Sequence, residues 1–99
     1  MLTQVHVYIK GDVIGVGFRA WTKIRAKIEG VTGWVKNSYD KEDVFGARGG
    51  VEAVLQGEEQ NVKKLVEILK LGSPISHVEE VEVFHQEPKE KFESFEIRK

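Results

Sequence analysis

The residues whose types could do chemistry are a glycine-rich pentapeptide and an asparagine that follows it in the chain. The pentapeptide is Gly15-Val16-Gly17-Phe18-Arg19, and Asn37 ends the run Trp34-Val35-Lys36-Asn37. A glycine-rich turn that enters a helix exposes main-chain N–H groups without intrahelical partners, and such groups bind anions. Arg19 adds a planar guanidinium for two phosphate oxygens, and Asn37 offers a neutral donor and acceptor for a water. These residues predict an anion site.

Each of these residues also has an ordinary structural explanation. Gly15 and Gly17 are common in tight turns, Arg19 suits a solvated helix, and Asn37 suits a strand end. The chain has no cysteine, and its histidines, His6, His77 and His85, lack metal-ligand spacing. A site that relies on positioning and electrostatics suffices only for a good leaving group, such as the carboxylate of an acyl phosphate. The residues alone therefore predict an anion site and leave catalysis open.

Hydrophobic periodicity predicts the elements that position this site. Val5, Val7 and Ile9 alternate as in a half-buried strand. Further strands are predicted at 34–37, 51–56, 78–84 and 95–97. Two helices are predicted from their apolar stripes, which are Trp21, Ile24 and Ile28, extended by Phe18, in the first helix and Val62, Leu65, Val66 and Leu69 in the second.

This order of elements predicts an α+β fold, the ferredoxin-like split βαββαβ sandwich. It has an antiparallel sheet of order 4-1-3-2, a short extra C-terminal strand and two helices on one face, in a single domain over residues 1–99. Strands one and two both neighbour strand three and so run parallel, which brings the glycine-rich loop and Asn37 to one end of the sheet. The segment Ser38 to Gly50 is predicted to be a long connection, either a solvent-exposed hairpin or a lid. As a lid it would offer Tyr39 and Phe45 to an acyl group and Arg48 to the anion.

Composition narrows the class of partner. The formal net charge of −1 argues against nucleic-acid binding. The N-terminus lacks the basic and apolar regions of a signal peptide, and no apolar run approaches the roughly 20 residues that span a bilayer. We therefore expect a cytoplasmic protein that uses no membrane or nucleic acid, and we expect it to be a monomer.

The two motifs resemble those of the acylphosphatase family. Gly15–Arg19 matches its Gly-Val-Gly-Phe-Arg signature, and Gly33–Asn37 matches its Gly-Trp-Val-basic-Asn signature. The resemblance covers nearly the whole chain and implies hydrolysis of small acyl phosphates to carboxylate and orthophosphate without a metal or cofactor. It also implies that Asn37 positions the attacking water and that the phosphate is bound by Arg19 with the main-chain amides of Gly15, Val16, Gly17, Phe18 and Arg19.

Two departures from the family pattern keep alternatives open. Ile14 stands where the family usually has glutamine, and the connection Ser38 to Gly50 is longer than the family's short turn. The chain could be an inactive relative, or a carbamoyl-phosphate-binding module like that of hydrogenase-maturation carbamoyltransferases, although an end at Lys99 favours the simple hydrolase. An RNA-recognition domain of the same topology is disfavoured, because strand three has no aromatic residue and carries Glu52.

Overall fold

A five-stranded sheet and two long helices organise the chain in this computed structural model, which describes residues 1–99. A third helix is a single turn. The elements in chain order are β1 (Leu2–Asp12), α1 (Phe18–Glu29), β2 (Thr32–Ser38), α2 (Glu42–Phe45), β3 (Gly50–Glu58), α3 (Glu59–Leu71), β4 (His77–Gln86) and β5 (Phe95–Arg98).

The sheet has the order β4-β1-β3-β2-β5. β1 pairs with β3 and β4, and β3 pairs with β2, all antiparallel, whereas β5 lies parallel to β2 at the edge. The predicted fold class, the order 4-1-3-2 and the extra C-terminal strand are confirmed. β1 and β2 consequently run in the same direction and end at the same edge of the sheet.

Alternate strand residues face the helices and form the core. On this helix face Val7 pairs with Ala53, and Ala53 pairs with Val35, and all three side chains are fully buried. The four apolar residues predicted for the second helix, Val62, Leu65, Val66 and Leu69, are all buried against them. The opposite, open face of the sheet carries the intervening strand residues, including His6, Tyr8, Trp34, Glu52 and Phe84.

The buried stripe of α1 differs from the predicted one. Ile24 and Ile28 are 59% and 62% exposed, and the buried residues are Phe18, Thr22 and Ala26. Phe18 is buried as predicted, whereas the small residues Thr22 and Ala26 face the sheet in place of Ile24 and Ile28. The Thr22 hydroxyl is satisfied there because it donates to the Phe18 carbonyl oxygen at 2.8 Å. Periodicity in large apolar residues was misleading here, since it assigns no burial to alanine or threonine.

The connection Ser38–Gly50 does not extend into solvent as a hairpin. It folds onto the open face, where the buried ring of Phe45 contacts Tyr8 with ring centroids 5.6 Å apart. Residues 42–45 form the single-turn helix α2 within it. The physical reason is the apolar surface of the open face, which Phe45 covers.

None of the helices is long and apolar enough to cross a bilayer.

Candidate active site

The glycine-rich loop is anchored in the core at both ends. Val13 before it and Phe18 after it are each 1% exposed. Between them Gly15 and Gly17 have φ angles of 80° and 72°. These left-handed conformations strongly favour glycine, and a Cβ at either position would meet no atom within 4 Å. The loop is thus fixed at its ends and open to approach along its middle.

The main-chain amides of this loop have no acceptors within the protein. The first hydrogen bond of α1 runs from the Trp21 N–H to the Gly17 carbonyl oxygen at 3.0 Å, and no N–H of residues 15–20 donates to another main-chain or side-chain group. Gly17 occupies the N-cap position in the left-handed conformation, and no side chain caps the helix. Several adjacent donors are therefore unpaired at the positive end of the helix dipole, which favours an anion.

Arg19, the predicted phosphate-binding cation, lies directly after the glycine-rich turn. It is the second residue of α1 and is partly buried. It makes no ion pair, whereas Arg25 pairs with Glu29, and Arg48 pairs with Asp12 and Glu79. No carboxylate competes for its guanidinium, so its charge and its donors are available to a ligand.

Asn37 lies at the same edge of the sheet as the loop. It pairs with Val51, which also pairs with Ile9 near the end of β1. Asn37 is therefore two strand spacings, or about 10 Å, from β1 and shares the helix face of Val51. Its side-chain amide donates a hydrogen bond from Nδ2 to the hydroxyl of Tyr39 at 3.3 Å.

Gly49 joins the connection to the loop. A Cβ at this position would lie 2.7 Å from the Ser38 carbonyl oxygen, 3.0 Å from Cδ1 of Tyr39 and 3.4 Å from Cδ1 of Ile14. The end of β2, the Tyr39 ring and the residue before Gly15 thus converge on one glycine. Ile14, which replaces the family's usual glutamine, packs here against the connection.

The connection contributes to the site differently from the lid hypothesis. Tyr39 does lie beside Asn37, but Phe45 points to the open face and cannot contact an acyl group at the loop. Arg48 is not available to bind an anion at the loop, because its guanidinium donates hydrogen bonds to Glu79 and Asp12. The hydrogen bond to Glu79 and the negative charges of both carboxylates raise the pKa of Arg48. The lid hypothesis is wrong for these two residues.

Sequence reasoning missed the burial of Glu52. Its side chain is 5% exposed, with Oε1 at 3.2 Å from Nε2 of His6 and Oε2 at 3.8 Å from Nζ of Lys41. Oε2 receives no hydrogen bond, so Lys41 provides its charge compensation. Glu52 alternates with core residues in β3, a pattern typical of a solvated face, so the sequence gives no sign of its burial.

The fold and the loop define a small α+β protein in which a glycine-rich loop enters a helix whose N-terminus has no side-chain cap. The sequence model of the acylphosphatase family matches residues 5–97. An acylphosphatase of Pyrobaculum islandicum is 45% identical, with 95% of this chain and 92% of that protein covered. An acylphosphatase of Haloarcula marismortui is 41% identical, with 97% and 96% covered.

Solved structures agree with these sequence relatives. The crystal structure of acylphosphatase from Bacillus subtilis superimposes with a TM-score of 0.86 at 34% identity, and the match covers 100% of both chains. This chain belongs to the acylphosphatase family, and it is an enzyme of that type.

Proposed function

We propose that this protein hydrolyses acyl phosphates to a carboxylate and orthophosphate, with the phosphate bound by Arg19 and the loop amides and the water positioned by Asn37. The observation that carries the residue roles is the set of unpaired N–H donors of residues 15–20 beside a guanidinium without a carboxylate partner. The family membership supports the reaction class.

The proposed site works by positioning and by electrostatic stabilisation. Arg19 and the amides of residues 15 to 19 bind the phosphoryl oxygens and stabilise the charge that develops on them. Water attacks phosphorus while the bond from phosphorus to the acyl oxygen breaks, and the carboxylate leaves with the electron pair of that bond. Both protons of the water remain on the phosphate product, so a dianionic substrate gives a carboxylate and dihydrogen phosphate.

Asn37 suits the task of holding the water. A carboxamide offers one acceptor and two donors without a charge, so it can accept from a water and does not compete for the phosphate. Asn37 shares the edge of the sheet with the loop, as the roles require. An acyl phosphate needs little protonation of its leaving group, because a carboxylate is already stable as an anion.

The test is orthophosphate release from benzoyl phosphate and acetyl phosphate, with p-nitrophenyl phosphate as the monoester control. We expect hydrolysis of both acyl phosphates, unchanged by a chelator, and little hydrolysis of the monoester. Activity that a chelator abolishes and a divalent cation restores would contradict the proposal, as would a preference for the monoester. Carbamoyl phosphate belongs in the same substrate series, because preferential turnover of it would favour the carbamoyl-phosphate alternative.

The residue roles are tested with Asn37→Ala and the matched control Asn61→Ala. We expect Asn37→Ala to lower kcat by roughly 10²-fold or more and to leave inhibition by orthophosphate unchanged, since a positioning contact is lost. Asn61 lies in α3, and its variant should keep both values. If Asn37→Ala instead weakens orthophosphate inhibition with kcat preserved, Asn37 is a binding residue.

A further inference from the structure

Tyr39 has a contact that none of the proposed roles uses. Its hydroxyl oxygen is 3.3 Å from Nδ2 of Asn37, and this is the side-chain hydrogen bond that Asn37 makes within the protein. Tyr39 is 62% exposed, and its side chain combines an apolar ring with a polar hydroxyl that can form a hydrogen bond. The Tyr39 hydroxyl thus contacts the side-chain amide of a residue two positions earlier in the chain.

A hydrogen bond at this position limits the rotation of the carboxamide. The terminal torsion of asparagine is broad, so an unpartnered amide samples many orientations. A group that must present one oxygen to a water is effective only when that range is narrow. The Tyr39 hydroxyl oxygen accepts a hydrogen bond from Nδ2 of Asn37. This contact orients the carboxamide with Nδ2 toward Tyr39 and Oδ1 away from it.

The Tyr39 ring is itself held by its surroundings. Its Cδ1 lies 3.0 Å from the point that a Cβ of Gly49 would occupy, so the ring packs closely on the Gly49 backbone. Gly49 has a φ of 78° and would clash with the Ser38 carbonyl oxygen if it carried a side chain. Only glycine permits this close approach at the end of β2.

Three contacts fix the rest of the connection and so keep Gly49 in place. Phe45 packs on Tyr8, and its ring atoms lie within 2.8 Å of the position of a Cβ on Gly50, which precludes a side chain there. Arg48 is bound by Asp12 and Glu79. The third contact is the approach of Lys41 to the buried carboxylate of Glu52.

We propose that Tyr39 is a positioning residue, whose hydroxyl restrains the Asn37 carboxamide, and that the long connection serves to hold Tyr39 there. The inference rests on the proposed role of Asn37 and extends it. It gives the segment Ser38–Gly50 a function that is neither a lid nor a solvent hairpin.

The test is Tyr39→Phe, which keeps the ring and removes the hydroxyl. We expect kcat to fall about fivefold, the equivalent of one neutral hydrogen bond, with KM and orthophosphate inhibition unchanged. The matched control is Tyr8→Phe, since Tyr8 lies on the open face against Phe45 and Phe84 and its hydroxyl makes no hydrogen bond within the protein. An unchanged kcat in Tyr39→Phe overturns the inference.

A double variant separates this inference from the proposed function. In an Asn37→Ala background, Tyr39→Phe should cause no further fall in kcat, because the group that it restrains is gone. Equal effects of Tyr39→Phe in both backgrounds would overturn the positioning role. If Asn37→Ala itself leaves kcat unchanged, the proposed role of Asn37 fails first and this inference with it, whereas a large effect of Asn37→Ala with none of Tyr39→Phe overturns the inference alone.

An acyl-contact role for Tyr39 gives a different result. Tyr39→Phe would then leave kcat unchanged, and Tyr39→Ala would change the ratio of kcat/KM for benzoyl phosphate to that for acetyl phosphate. That pair of outcomes would overturn the positioning role. A fall in kcat by the same factor for both substrates in Tyr39→Phe supports it.

Discussion

Replacement of Arg19 by lysine separates the charge of this side chain from its shape. Arg19 makes no ion pair within the protein, so the substitution breaks no internal salt bridge and its cost falls on the ligand alone. A lysine keeps the positive charge and loses the planar fork that binds two oxygens at once. Arg19→Ala loses both.

The expected magnitudes follow from the number of bonds lost. A hydrogen bond to a charged group contributes about 1.5–3 kcal/mol. Arg19→Ala loses two of them, or about 3–6 kcal/mol, which corresponds to about 10²- to 10⁴-fold in kcat/KM. Arg19→Lys retains one, and we expect a fall of about 10- to 100-fold.

The assay is kcat/KM for benzoyl phosphate together with the inhibition constant of orthophosphate. Both Arg19 variants should weaken orthophosphate inhibition as well as slow turnover, because in the proposed role the guanidinium binds the phosphate before and during reaction. The control is Arg48→Ala, which removes a charge near the loop that Asp12 and Glu79 already neutralise. Its kcat/KM should change by less than about threefold. Wild-type activity in Arg19→Lys would refute the bidentate role and show that charge alone is needed.

Three further substitutions test the loop, the core and the connection. Ile14→Gln should change kcat/KM by less than about tenfold, or 1.4 kcal/mol, because the loop amides are unaffected, and a much larger gain would mean that the natural loop is impaired. Leu65→Ala should lower the free energy of unfolding in urea by about 2–5 kcal/mol because Leu65 is fully buried, whereas Leu71→Ala, at an 85% exposed position, should leave it nearly unchanged. The pKa of Asp40 is lowered by its own main-chain N–H and then by the Ser38 hydroxyl. Its carboxylate therefore stabilises the fold above its unfolded pKa of about 4, and this contribution is lost as the pH falls through the lower folded value. The difference in Tm between wild type and Asp40→Asn should be complete at pH 7 and vanish toward pH 2, and an undiminished difference at pH 2 would contradict this origin.

Most of the fold could be predicted because its signals are local. Alternation in β1, the stripe of α3 and glycines at element ends are signals that can be interpreted without knowledge of the rest of the chain. The helix C-cap Gly30, with a φ of 73°, is an example, since the need for glycine there arises from the helix itself. Topology rules then place the loop and Asn37 at one edge, and the register of Asn37 with Val51 agrees with that prediction.

The connection could not be predicted because its course depends on residues far away in the sequence. Phe45 packs against Tyr8 on the open face, and Lys41 approaches the buried carboxylate of Glu52 on β3. Neither of these two contacts produces a periodic pattern in the sequence from which it could be predicted. For Tyr39, its proximity to Asn37 in sequence made a contact conceivable, but the orientation of its hydroxyl depends on Gly49, whose role only the three-dimensional structure reveals.

The position of β5 has a consequence for self-association. By pairing with β2, β5 covers the outer edge of the strand that carries Asn37, and the outer edge of β4 remains without a partner strand. An unpaired strand of this length could template cross-strand aggregation between copies. β4 carries Glu79, Glu80 and Glu82, so two copies that met edge to edge would bring several carboxylates together. These carboxylates pair with Arg48 and Lys10, so a second copy on this edge would have to cover charged side chains, which disfavours edge-to-edge association, while β5 physically shields β2.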